Sequence, residues 1–306
     1  MGMNQVDRVA HTTKIDAFRQ FVKTHEKAWL ADPEARGHLE GLLPRVTFPA
    51  NQHRASCVLR DLSEDAAYTI DLIDGHFDPS SRLLEVGGGV GLAHAWLKSE
   101  NLDITSLEPA LVGHGPYFQL GKRILELCGL DSSGWVGLEA RQAAQLGRQF
   151  DLIFSYNVLE HIKEIDESIG ALAKCLSDRG IMRHGCPNYA VPYEPHFGIP
   201  LIPFAPRVTE KFFDVSKEPE LWTGVNFLTA FGVRKAGRKI GLMTQFDNGV
   251  LHSAFCRFDH DETFGNRHPL LRTTYRMLKA TGLIAALRFA PATLVTPMKF
   301  TMRKSS

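Results

Sequence analysis

Acidic residues are absent from Thr263 to Ser306, a stretch that carries eight of the 35 Lys and Arg residues and none of the 34 Asp and Glu residues. That end therefore bears +8 and the rest of the chain −7, an asymmetry hidden by a net charge of +1. Cysteine is scarce: Cys57, Cys128, Cys175, Cys186 and Cys256 are odd in number and form no C-x-x-C pair. A disulfide framework and a zinc site are not expected, no metal is called for, and a reducing compartment is the simpler setting. No window of 18 apolar residues without a charge occurs, so no membrane span is expected. Met1 to Ala10 has no apolar run of the secretory kind, and Val6 stands where N-myristoylation needs Ser or Thr. These absences set the expectation of a cytoplasmic protein. Hydrophobic content of 44 % and charged content of 23 % suit a soluble globular chain, and 306 residues suffice for one large domain or a core with additions.

What the chain has in abundance, at one place, is glycine. Leu83-Leu84-Glu85-Val86-Gly87-Gly88-Gly89-Val90-Gly91-Leu92 reads as a buried strand, a turn and a helix start. Glycines there permit positive φ and let a ligand lie against bare backbone, with the N–H groups of the helix start pointing at it. Spacing separates three nucleotide loops. No Gly-Lys-Ser/Thr follows, which excludes the phosphate loop of nucleotide hydrolases. The dinucleotide pattern G-x-G-x-x-G ends on Leu92 when started at Gly87 and on His94 when started at Gly89, which disfavours a nicotinamide-dependent oxidoreductase. The pattern acidic-x-G-x-G-x-G is filled by Glu85, Gly87, Gly89 and Gly91.

Downstream, strands and helices alternate. Ile104 to Glu108 is a second strand ending on a carboxylate 23 residues after Glu85, where it could accept hydrogen bonds from a ribose diol. Tyr117, Leu120, Ile124, Leu127 and Cys128 mark a helix face. Trp135 to Ala140 is a third strand, Phe150 to Ser155 a fourth, and Ile181 to Cys186 a fifth, after a helical stripe from Val158 to Leu176. This order implies a parallel sheet with helices on both faces and a ligand at the carboxyl ends of the strands. Leu242 to Phe246 and Val250 to Phe258 read as two final strands around the hairpin signal Asn248-Gly249.

The glycine pattern resembles motif I of the class I S-adenosylmethionine-dependent methyltransferases. Phe150-Asp151-Leu152-Ile153 followed by Asn157-Val158-Leu159-Glu160-His161 resembles a second motif of the small-molecule members of that family. The resemblance covers about residues 81–258. It implies a Rossmann-like, seven-stranded, mostly parallel sheet with an antiparallel last strand, and S-adenosyl-L-methionine as cofactor. It also implies that Glu85, Gly87, Gly89, Gly91, Glu108 and Asn157 line the cofactor, Glu108 at the adenosine ribose. The family's adenine-contacting Asp has no counterpart here, and Gln142 offers an amide oxygen in its place. An N-P-P-Y sequence is missing after strand four, which argues against methylation of DNA adenine or protein glutamine, and no nucleic-acid partner is expected.

Three segments frame the expectation: residues 1–80 as a helical leader, 81–258 as the methyltransferase domain, and 259–306 as a basic extension. In the leader, Ile15, Phe18, Phe21 and Val22 recur at helical spacing, and Ser63 is a candidate cap for a second helix. The leader either covers the cofactor or packs on the sheet edge. The extension either packs as an amphipathic helix with a basic outer face or makes peripheral contact with an anionic membrane. His196, in a loop rich in Pro and aromatic rings, and His161 are the candidate catalytic bases. Tyr156, Tyr189, Tyr193 and Phe197 are candidate ring faces for a sulfonium. The expected reaction is methyl transfer to oxygen or carbon of a small or lipid-linked acceptor. The alternative is a cofactor-binding regulator or scaffold that has lost catalysis.

Overall fold

The structure is a computed structural model that describes residues 5–42, 54–110, 115–216, 218–259 and 261–305. Helices α1 (Gln5–Ala31), α2 (Pro33–Gly41) and α3 (Ala55–Ile73) precede strand β1 (Arg82–Val86). Alternation follows, with α4 (Leu92–Ser99), β2 (Asp103–Leu107), α5 (Gly115–Leu127), β3 (Trp135–Val136), β4 (Phe150–Tyr156), α6 (Ile165–Lys174) and β5 (Leu176–Cys186). A short antiparallel pair, β6 (Tyr193–Glu194) and β7 (Ile199–Pro200), comes next, then α7 (Pro219–Gly224), α8 (Ala230–Lys239) and β8 (Leu242–Phe246). The chain ends with α9 (Val250–Cys256), α10 (Glu262–Arg267), α11 (Pro269–Ala280) and β9 (Met298–Lys304).

The main sheet has seven strands in the order β3-β2-β1-β4-β5-β9-β8. β1 runs parallel to both β2 and β4, and β2 parallel to β3, whereas β8 and β9 are antiparallel. Central strands covered on both faces need continuous apolar runs, and Leu83, Leu84 and Val86 in β1 and Leu152, Ile153 and Phe154 in β4 meet that need. Asp151 marks the start of β4, accepting from Arg82 through the backbone N–H, Nε and Nη2 at 2.9–3.0 Å.

Two compact units make up the chain: Met1–Tyr156 with Asp166–Arg183, and Asn157–Ile165 with His184–Ser306. In the first, α1 to α3 share one apolar core with α4 and β1, built around Phe18, Trp29, Leu39, Ile70 and Leu83. Arg123 of α5 ties α2 down with a pair of bonds to Asp32 at 2.6 and 3.1 Å. In the second, Tyr189, Leu201, Trp222 and Val225 form a smaller cluster.

Several local expectations are corrected. Val250 to Phe258 is no strand: Gly249, at φ 76°, opens α9, and the hairpin expected at Asn248-Gly249 is absent. The antiparallel partner of β8 is instead β9, from within the stretch set apart as a basic extension, and it aligns Phe246 with Phe300. Phe300 and Met302 are completely buried there. Ser63 caps nothing; it lies inside α3 and donates to the Leu59 carbonyl at 2.6 Å. The third strand, expected over Trp135 to Ala140, is only two residues long.

Candidate functional site

β1 delivers its chain into a turn in which Gly87, Gly89 and Gly91 take φ of 72°, 57° and 75°, values that L side chains rarely adopt. The N–H groups of Gly87 and Gly88 both donate to the Leu107 carbonyl, at 2.7 and 3.1 Å, which docks the turn on the end of β2. Gly91 then opens α4. A Cβ at Gly88 would sit 2.6 Å from the Trp135 ring, and one at Gly121 only 2.3 Å from it. Trp135 thus lies against both glycines as a floor, its Nε1 donating to the Phe118 carbonyl at 2.9 Å. A Cβ at Gly89 would meet nothing within 4 Å, so that face of the loop is open to a ligand.

Two buried carboxyls flank the loop. Glu108 accepts from the Gly89 N–H at 2.8 Å, and Glu85 accepts from the Ser106 hydroxyl at 2.6 Å. Burial pushes Glu85 up to about 7, against the pull of Ser106. Burial likewise pushes Glu108 up to about 8, opposed by the Gly89 N–H and helped by the negative charge of Glu85. Ser106 is itself 2.7 Å from His94 Nδ1. Burial lowers His94 to about 3, which keeps its imidazole neutral. Ser106, His94, Trp135 and Gly121 carry no motif, and no signal in the sequence singles them out.

Gln142 belongs to a 3-10 turn, Ala140–Leu146, where its Oε1 accepts from the Glu139 N–H at 3.0 Å and completes a capping box. The oxygen nominated for an adenine amine is thus already engaged once. Asn157 is exposed, at φ 55°, with its N–H on the Gly185 carbonyl at 2.8 Å.

The second unit gathers both candidate histidines. The rings of His161 and His196 have centroids 5.2 Å apart. Glu160, completely buried, brings a carboxylate oxygen to 3.8 Å from His161 Nε2. Asn226 holds this turn: its Nδ2 donates to the carbonyls of Leu159 and Ile162 at 2.7 and 2.8 Å, and its N–H donates to the Glu160 carbonyl at 2.8 Å. His196 Nδ1 lies 2.6 Å from Oε1 of Glu194, a completely buried residue that also accepts from the Tyr189 hydroxyl and the Phe197 N–H at 2.9 and 2.7 Å. Burial works to raise the Glu194 carboxyl, but His196 and the other donors outweigh it and hold the group below the usual carboxylate range. Of the candidate ring faces, Tyr189 is therefore engaged with Glu194, Tyr193 with His268 Nδ1 at 2.6 Å, Tyr156 stacks on Tyr68, and Phe197 meets the edge of Trp222. Asn226 was beyond the reach of motif reading, because its partners Leu159 and Ile162 lie more than sixty residues away, whereas Glu194 bonds residues within five positions of itself but belongs to no motif.

Among known proteins, the chain is 28 % identical over 266 residues to an uncharacterized protein of Mycobacterium tuberculosis, covering 82 % of this chain and 86 % of the relative. Its architecture is similar to the plantazolicin methyltransferase BamL in complex with a desmethyl substrate analogue and S-adenosylhomocysteine (TM-score 0.46, 12 % identity, 97 % and 100 % of the two chains covered). It is also similar to phosphoethanolamine N-methyltransferase 2 of Haemonchus contortus (TM-score 0.43, 13 % identity, 78 % and 52 % covered). The family model for the methyltransferase domain matches residues 51–242, which takes in α3 and ends at the first residue of β8, and the chain belongs to that methyltransferase family.

Proposed function

We propose that this methyltransferase uses S-adenosyl-L-methionine and transfers its methyl group to an oxygen, or a carbon, of a small or lipid-linked acceptor. The observation that carries the cofactor is the loop: three left-handed glycines, an open face at Gly89, and the buried carboxyls Glu85 and Glu108 on either side. In this reading Glu108 takes the ribose diol, and the glycine backbone takes the methionine portion beside Glu85.

The transfer needs no covalent enzyme intermediate. The acceptor atom attacks the methyl carbon in line, the C–S bond breaks, and its electron pair stays on sulfur as the thioether. The protein supplies alignment and water exclusion. For a hydroxyl acceptor a proton must also leave, and His161 and His196 are the groups assigned to acceptor activation. Support for a lipid-linked acceptor comes from the far end of the chain. Met277, Leu283, Phe289 and Leu294 are 56–87 % exposed, beside exposed Arg276, Lys279 and Arg288. Apolar side chains interleaved with cations suit an anionic lipid surface.

Calorimetric titration with S-adenosylhomocysteine tests the core of this reading, using the wild type and Gly89→Arg. Micromolar binding by the wild type, lost in a variant that stays folded, is the expected result. No binding by the wild type would remove the cofactor assignment, and with it the reaction.

A further inference from the structure

We propose that Glu160, His161 and His196 form a binding site for a divalent first-row transition-metal cation, which ligates the acceptor oxygen. The inference rests on the methyl-transfer reading for its chemistry but not for its existence. One donor atom from each of the three side chains lies within 4.8 Å of the others. Donors sharing one cation, with bonds of about 2.1 Å, stand about 3 to 4 Å apart, so small side-chain rotations bring the three onto a common ion. Two imidazoles and one carboxylate suit zinc, manganese, iron(II), cobalt or nickel better than magnesium or calcium, which prefer oxygen alone. The absence of a metal was expected from cysteine spacing, and that expectation does not bear on imidazole and carboxylate donors.

The surroundings are those of a built site. Glu194 fixes the ring of His196 by taking Nδ1, at 2.6 Å, which leaves Nε2 as the nitrogen that keeps its lone pair. A buried carboxylate behind an imidazole is the usual support for a metal-binding histidine, since it sets both tautomer and ring orientation. Glu194 is itself held by Tyr189 and Phe197, so the orientation does not depend on a loose side chain. Asn226 does the same for the other two donors by clamping the turn on either side of them. Glu160 is completely buried, while the His161 and His196 side chains are 30 and 25 % exposed. Three protein donors with one open side leave coordination positions for water and substrate, as in catalytic rather than structural metal sites.

The cation would act as a Lewis acid with no change of oxidation state. An acceptor hydroxyl takes an open position, and its proton passes to a solvent water. The resulting oxyanion forms the new O–C bond to the methyl group as the C–S bond breaks, leaving neutral S-adenosylhomocysteine. A site of this kind favours acceptors whose reacting oxygen has a second oxygen beside it, such as a catechol or a vicinal diol, because both could bind the same ion.

The test is metal content by mass spectrometry on protein purified without metal-affinity resin, followed by calorimetric titration of chelator-treated protein with Zn2+ and with Mn2+. Wild type, His196→Ala and Glu160→Gln are compared, each also titrated with S-adenosylhomocysteine. We expect one cation per chain in the wild type and at least 100-fold weaker binding in both variants, with S-adenosylhomocysteine affinity within about twofold throughout. Retained nucleoside binding shows that the variants are folded. A wild type that takes no cation, or variants that bind it equally well, overturns the site whatever the nucleoside titration gives. Failure to bind S-adenosylhomocysteine alone would instead overturn the cofactor assignment.

Discussion

The carboxyl of Glu108, at the end of β2, accepts a 2.8 Å hydrogen bond from the backbone N–H of Gly89, in the turn after β1. One side chain thus sets the shape of the glycine loop and occupies the place assigned to the ribose. Replacing it with alanine removes both roles. Hydrogen bonds of an uncharged group contribute about 0.5–1.5 kcal/mol each, and two are lost with the ribose diol, so Glu108→Ala should weaken S-adenosylhomocysteine about 5- to 100-fold, read by calorimetry. Unchanged affinity would place the nucleoside elsewhere.

Glu85 and Glu108 titrate at about 7 and about 8 in the folded chain, above the ordinary value of 4.5. A carboxyl raised by folding binds its proton more tightly in the folded state. Its contribution is therefore complete below about pH 4.5 and lost as the pH rises toward 7 and 8. Each shift corresponds to a few kcal/mol on the scale of about 1.4 kcal/mol per unit. The melting temperature of the cofactor-free protein should fall between pH 5 and 8, and Glu85→Gln with Glu108→Gln should flatten that slope. A wild-type melting temperature that rises across the same window would contradict the assignment.

Trp135 leaves no room for a Cβ on Gly121. Alanine is favoured over glycine in a helix by about 1 kcal/mol, but overpacking costs about 1–3 kcal/mol, and a 2.3 Å approach to a rigid ring lies at the costly end. Gly121→Ala should lower stability in urea unfolding. In a Trp135→Leu background the same change should be neutral or stabilising. Equal effects in the two backgrounds would mean that the ring does not define the floor of the loop.

Asn226→Ala takes two donors from the carbonyls of Leu159 and Ile162. A loss of about 2 kcal/mol in unfolding free energy is expected, with a larger fall in turnover than in S-adenosylhomocysteine affinity. A fall in nucleoside affinity as large as that in turnover would contradict a role confined to the Glu160–His161 turn.

The exposed apolar and basic residues near the end of the chain predict cosedimentation with vesicles containing phosphatidylserine, weakened by salt. Phe289→Asp with Arg276→Glu should abolish it. Equal binding to neutral vesicles, or none to either, would remove the argument for a lipid-linked acceptor.

The order of elements from β1 to β5 was legible because β1, β2, β4 and β5 contain apolar runs and α4, α5 and α6 are helical stripes, both local properties; the two-residue β3 and the 3-10 turn Ala140–Leu146 after it are the exceptions. The glycine loop was legible for the same reason: positive φ in three residues of five leaves a mark in composition. The end of the sheet was not. Residues 250–256 have the apolar content of a strand but wind into α9, and the place beside the edge strand β8 went to β9, between β8 and β5. Alternation in Met298–Lys304 is compatible with a strand, yet nothing local says which strand it joins.

The candidate site divides along the same line. Sequence alone nominated the candidate residues, since Glu85, the glycines, Glu108, His161 and His196 stand out by type or by place in a motif or loop. Tertiary structure alone decided which of them meet. It set Glu108 on Gly89, Trp135 beneath Gly88 and Gly121, and His196 beside His161. Backbone conformation is governed by neighbours in the chain, and so it is written there. The partners of a buried carboxylate or imidazole come from packing of segments tens of residues apart, and only the folded chain selects them.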